Sequence, residues 1–193
     1  MSEKITRRQL IGGACLIVGT IAFGGTAKAF AVDDSLLRPP GGQDDVWFRE
    51  QCIKCDRCRS VCPQGCVVTT TVSEGFVEAR TPTLDFHRGY CTFCNRCIEV
   101  CPTGALRAFD PQVEKIGVAQ LDTSVCVAYT RGACDKCDVC AYDALTFDDA
   151  GLPHIDAERC NGCGACVDAC NANVFLAYSG TGDRAIEVVE QVE

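Results

Sequence analysis

The 193-residue chain has one tryptophan, one methionine, two histidines and few long aliphatic segments, so an ordinary apolar core of matching size cannot be built from it. It has no basic patch with interleaved aromatics, and its formal net charge of -8 argues against nucleic acid. Walker and Rossmann glycine patterns, a C-x-x-C-H haem attachment and a nucleophile-and-base arrangement are all missing. Nucleotide, c-type haem and covalent hydrolytic chemistry therefore have no basis in the sequence. What the chain has in excess is cysteine, 18 residues of it.

Sixteen of these cysteines fall into four blocks. Block two sets the pattern: Cys91, Cys94, Cys97 and Cys101 stand at intervals of two, two and three residues and close on Pro102. That is the spacing of a bacterial [4Fe-4S] loop, in which three thiolates wrap one cluster and the fourth reaches a neighbouring one. Block one repeats it with Cys52, Cys55, Cys58 and Cys62-Pro63, and block four with Cys160, Cys163, Cys166 and Cys170. Block three is irregular, with Cys126, then seven residues, then Cys134, Cys137 and Cys140, and Ala141 replaces the proline. A three-iron cluster or one distorted site is the alternative for that block. Cys66 falls outside the pattern and reads as a spare buried thiol; Cys15 reads as apolar filler.

Disulfides would suit an exported chain, but do not explain four repeats of tightly spaced cysteines. Structural zinc wants two C-x2-C pairs separated by a longer loop. The blocks fit iron-sulfur clusters better than either, with the cysteines serving as iron ligands. His87 and His154 read as structural, not as ligands.

Residues 1–29 read as an address. Arg7-Arg8 precedes an apolar run from Leu10 to Phe23, and Ala27-Lys28-Ala29 offers a small-residue cleavage site, as in a twin-arginine signal. The run is shorter than the roughly 20 residues of a membrane span. Removal of residues 1–29 leaves 14 positive and 25 negative groups, a net of -11, and the acidic surface is expected to serve as a docking face for a basic redox partner. Residues 30–51 form an extended lead-in, and Trp47 and Phe48 are expected to pack over a cluster.

First cysteines of successive blocks are 39, 35 and 34 residues apart, an internal repeat of cluster loop, short helix and hairpin. Hairpins are expected over Val67–Val72 with Gly75–Ala79, Ala105–Phe109 with Lys115–Leu121, Ala144–Phe147 with Pro153–Asp156, and Val174–Tyr178 with Ala185–Val189. Gly162 and Gly164 are expected at positive φ, close to inorganic sulfide. The fold class is α+β, a tandem ferredoxin-like chain of two modules with two clusters each, over residues 52–121 and 122–193. Pairing block one with two and three with four is one arrangement; outer with outer and inner with inner is its rival.

With the twin-arginine leader, the Leu37-Arg38-Pro39-Pro40-Gly41 lead-in and the wide gap of block three, the chain resembles the NapG/MauM family of ferredoxin-type proteins. The resemblance implies a periplasmic carrier of four [4Fe-4S] clusters, ligated by the first to fourth cysteines of each block, with no reaction of its own. Electrons would come from the quinol side of the membrane through a membrane-bound ferredoxin partner and pass to a periplasmic reductase or cytochrome, as in anaerobic respiration. A second reading is a subunit bound permanently to an exported molybdenum-type oxidoreductase, and a third is a zinc or disulfide scaffold.

Overall fold

The computed structural model describes residues 36–132, 134–172 and 184–190. The leader expected over 1–29 and the strand expected over Val174–Tyr178 lie outside them. The chain divides into two units, one of which has 70–80 as its described residues. In that unit Val72–Glu74 makes a 3-10 turn inside a Thr71/Glu74 capping box, with the Thr71 amide donating to Glu74 Oε2 at 2.6 Å. Thr70 Oγ1 donates to the Glu78 carbonyl, and the Arg80 amide closes the loop on the Thr70 carbonyl at 3.0 Å.

Among its described residues the larger unit is α+β, with helices of at most seven residues and three two-stranded antiparallel sheets. Helix α1, Asp45–Gln51, starts where the Asp44 side chain accepts from the Trp47 amide at 3.0 Å, with Asp45 in its first turn and Arg49 in its last. It ends at Cys52, so its C-terminus delivers the first thiol of block one. Its one fully buried side chain, Phe48, lies under the guanidinium of Arg38, 4.8 Å from the ring centroid. Arg38 is itself buried and satisfied by Asp45 Oδ1 at 2.9 Å, Thr81 Oγ1 at 3.0 Å and the Pro82 carbonyl. This pins the lead-in against the first half. Short helices α2 (Arg57–Ser60) and α3 (Arg96–Glu99) follow the loops of blocks one and two.

Two expected hairpins form differently. Strand β1, Val67–Thr69, pairs with β2, Pro82–Leu84, in the register Val67 to Leu84, and not with residues 75–79. The Thr71/Glu74 capping box and the Gly75 amide, which donates to the Val72 carbonyl, close a local turn there in place of a hairpin tip. Pro82, lacking an N–H, is then tolerated as the first residue of its strand. Likewise β3, Val118–Leu121, pairs with β6, Ile186–Val189, in the register Val118 to Val189, and not with residues 105–109. Asp110 accepts from Gln112 and Glu114 folds back onto the Asp110 amide, which makes a closed local turn. The Arg107 amide instead donates to Gly41 of the lead-in at 2.9 Å. Gly41 sits at φ 83°, and a Cβ there would lie 2.0 Å from the Arg107 carbonyl oxygen.

The third hairpin forms as expected. Strands β4 (Leu145–Phe147) and β5 (Pro153–Ile155) pair around Asp148, whose carboxylate accepts from Ala150 and Leu152 at 2.9 Å each. Helix α4, Val127–Arg131, precedes β4 and helix α5, Ala165–Ala169, precedes β6. Among the described residues, apolar side chains gather in three groups. One joins Phe48, Ala105 and Leu106 to Cys52, Cys58, Cys97 and Cys101. The largest joins Phe86, Phe109, Ile116 and Ile186 to Cys62, Cys91, Cys140, Cys160 and Cys166. The last joins Val127, Ala128 and Ala172 to Cys126, Cys134 and Cys170. Cysteine is part of the core in all three.

Candidate metal centres

The structure sorts the sixteen predicted cysteines into four sets of four, and in every set the fourth thiol comes from another block. Cys52, Cys55 and Cys58 line one cavity with Cys101 of block two. Cys91, Cys94 and Cys97 line another with Cys62 of block one, and Cys66 is a fifth thiol in the wall of that cavity. Cys160, Cys163 and Cys166 line a third with Cys140 of block three. Cys137 is close enough to Cys170, Cys126 and Cys134 for all three to act on its thiol, which completes the fourth set despite the seven-residue gap. Blocks one and two thus share thiols with each other, as do blocks three and four.

Three of the loops carry one backbone signature. The residues on either side of the middle cysteine are left-handed: Lys54 and Asp56 at 56° and 66°, Phe93 and Asn95 at 51° and 58°, Gly162 and Gly164 at 76° and 79°. For a non-glycine residue this conformation costs about 1–2 kcal/mol, so four such positions are not incidental. Alternating left- and right-handed residues turn successive amides inward, the concave arrangement that holds anions and iron-sulfur sites. In block three Asp135 does not follow the pattern; its left-handed residues are Gly132 and Asp143. The glycines of block four also allow close packing. A Cβ on Gly164 would fall 2.1 Å from the Phe86 ring, and one on Gly162 would fall 2.5 Å from the Gly117 carbonyl.

The thiols show what such a site demands electrostatically. Burial, followed by neighbouring thiols, pushes Cys58, Cys91, Cys137 and Cys166 up to about 12, and Cys97 to about 11. Cys62 and Cys101 are lowered: burial raises them, but amides of Val67, Gln64 and Cys66 outweigh it for Cys62, and those of Leu106, Thr103 and Ala105 for Cys101. Four thiolates cannot share a dry pocket without a compensating cation. The donor set suits soft, multiply charged iron. Among the described residues no three His, Cys, Asp or Glu side chains converge as a single metal ion requires. The thiols surround a space, as a polynuclear cluster needs. Two buried amide atoms with no protein partner belong to the same loops, Asn95 Oδ1 and Asn161 Nδ2. The residues present fit [4Fe-4S] clusters.

Cys66 is buried, with its sulfur 3.7 Å from that of Cys62. His87 is exposed and joins no thiol set, and His154 pairs with Asp148 at 3.2 Å on the surface. Phe48 packs against the block-one cavity as expected. Trp47 does not: it stacks on Arg107, 4.1 Å from its guanidinium, and donates to the Gly104 carbonyl. Asn161 was not legible as a site residue. Its signal, a buried polar side chain between two closely spaced cysteines, appears only with the fold.

Interleaved cysteine loops, short helices and small antiparallel sheets define an iron-sulfur protein of the ferredoxin class. A 4Fe-4S dicluster domain matches residues 51–105 and a 4Fe-4S binding domain matches residues 151–172. Ferredoxin-type protein NapG of Escherichia coli is 30% identical over 166 residues, 75% of this chain and 69% of its own length. Ferredoxin-type protein NapF of Haemophilus influenzae is 36% identical over 145 residues, 72% and 77%. The methylamine utilization ferredoxin-type protein MauM of Methylorubrum extorquens is 27% identical over 191 residues, 86% and 84%. The chain belongs to the family of Nap and Mau ferredoxin-type proteins, iron-sulfur electron carriers.

Proposed function

We propose that this chain is an exported electron relay of four [4Fe-4S] clusters, arranged as two ferredoxin-like modules, that carries electrons from the quinol side of the membrane to a periplasmic reductase or cytochrome. The observation that carries the reading is the exchange of fourth cysteines: Cys101 joins the block-one triplet, Cys62 the block-two triplet, Cys140 the block-four triplet and Cys170 the block-three triplet. The second module takes in β3, since β3 pairs with β6.

A bound [4Fe-4S] cluster supplies one-electron chemistry. The chain's own residues do the rest. The sixteen cysteines are the ligands, all in the thiolate form when loaded. Left-handed loop residues turn amides into the thiol-lined cavities, where they would donate to a bound cluster and, together with burial, tune its potential. Phe48, Phe86 and Phe109 keep water from the interior. The middle thiols Cys55 and Cys94 are exposed, which leaves an edge for a partner to approach. The acidic residues supply long-range attraction to a basic partner.

The test is anaerobic purification of the chain with iron, sulfide and zinc analysis. About 16 iron and 16 sulfide per chain are expected, and about 12 would remove the block-three cluster from the reading. Zinc, or no metal, would overturn it. Export is tested by fractionating cells that express the chain with Arg7→Lys and Arg8→Lys together: the wild type is expected in the periplasm and the variant retained inside. Capture of the wild type in a fixed one-to-one complex with a molybdenum-containing catalytic subunit would replace the relay by a permanent subunit.

A further inference from the structure

Block two meets block four directly, although block three lies between them in the chain. The Cys91 amide, at the first thiol of block two, donates to the carbonyl of Cys163, the middle thiol of block four, at 2.8 Å. Around this bond the two loops are packed together. Phe93 stacks on Phe109 with ring centroids 5.6 Å apart, and meets Tyr142 edge-on at 6.0 Å. Tyr142 in turn lines the cavity of Cys140, Cys160, Cys163 and Cys166. The Phe86 ring lies against Gly164. Arg184 clips both sides, donating to the Phe86 carbonyl at 3.2 Å and the His87 carbonyl at 3.3 Å ahead of block two, and to the Val167 carbonyl at 2.5 Å in α5. Most thiols of the block-one and block-three sets pack away from this junction, Cys52 and Cys101 in one satellite group of apolar side chains and Cys126, Cys134 and Cys170 in the other, while Cys58 and Cys137 reach the central group that holds Cys91, Cys160 and Cys166.

We infer that electrons cross between the two halves of the molecule at the contact of Cys91 with Cys163, so that the clusters follow the order block one, block two, block four, block three, with the irregular block-three site terminal. At the junction one cluster is oxidised by one electron as the other is reduced by one, and no bond or proton changes place. The inference rests on the four-cluster relay reading, and metal analysis separates the two: a chain without clusters ends both, whereas a loaded chain with a different neighbour relation ends this one alone.

The experiment compares the EPR spectra of the fully reduced, full-length protein and two variants, Cys163→Ala and Cys134→Ala, each with its iron count. Loss of the block-four cluster in Cys163→Ala is expected to abolish the splitting between the halves, leaving blocks one and two coupled and block three as an isolated signal. Loss of the block-three cluster in Cys134→Ala is expected to leave the coupling of blocks two and four intact. The reverse pattern, with coupling across the halves surviving in Cys163→Ala and lost in Cys134→Ala, overturns the order. If an alanine variant does not fold, serine at the same position keeps an oxygen ligand and alters the spectrum of that cluster alone. The block-two signal must then respond to Cys163→Ser and not to Cys134→Ser; the opposite response overturns the inference.

Discussion

Asn161 sits between Cys160 and Cys163 at 4% exposure, and its Nδ2 makes no hydrogen bond of good geometry, with the Tyr142 hydroxyl as the nearby protein acceptor that competes for it. The corresponding position in the other regular loops holds Ile53 or Thr92. A buried amide left without a partner costs about 1–3 kcal/mol, so the fold would not keep one idle. The economical partner is cluster sulfide in the cavity that Asn161 lines. A donor to sulfide favours the reduced, more negative state, and a net hydrogen bond of about 0.5–1.5 kcal/mol corresponds to about 20–65 mV for one electron. Asn161→Leu is therefore expected to lower one of the cluster potentials by that amount and leave the others in place, with iron content unchanged. Redox titration followed by EPR reads this directly. If the variant instead keeps its potentials and resists denaturation better than the wild type, Nδ2 is an unpaid polar group and the reasoning fails.

Cys97→Ser is expected to lose one cluster, about four iron per chain, whereas Cys66→Ser keeps full iron; equal losses would make Cys66 a ligand. Phe48→Ala removes a fully buried ring beside the block-one cavity, a cost of about 3–5 kcal/mol, and stopped-flow chelation should find one cluster released faster while the rest keep their rates. Gly164→Ala puts a methyl 2.1 Å from the Phe86 ring at a left-handed residue, and a lower melting temperature with loss of block-four iron is expected from calorimetry and metal analysis.

The cluster loops were legible because ligand chemistry dictates their spacing, and spacing survives in a linear sequence. In block three the structure brings Cys126 near Cys137 across a gap that helix α4 fills in part. The β4–β5 hairpin was legible because its turn is made of adjacent residues around Asp148. The β3–β6 pairing was not, because the two strands are separated by both later cysteine blocks and nothing in Val118–Leu121 names its partner. Trp47 was read as a cluster neighbour because it adjoins Phe48, but successive helical residues point in different directions, and the cation on Arg107 took the indole. Asn161 and the Cys91–Cys163 bond depend on tertiary neighbours alone.

The exchanged fourth thiols constrain how the molecule can be made. The block-one set, which opens at Cys52, has no fourth member until Cys101 has left the ribosome, and the block-two set waits for nothing beyond that same residue. Both early sets therefore have all their thiols while the later half is still being translated. The later half behaves otherwise: block three stays incomplete until Cys170 is made, and its sheet cannot close until β6 supplies a partner for β3. On the proposed four-cluster reading the thiol sets would be completed in two stages, the front two by Cys101 and the back two by Cys170, and an interrupted chain would hold a front half with its thiols complete but with the Cys91 amide and the Phe86 ring still waiting for Cys163 and Gly164.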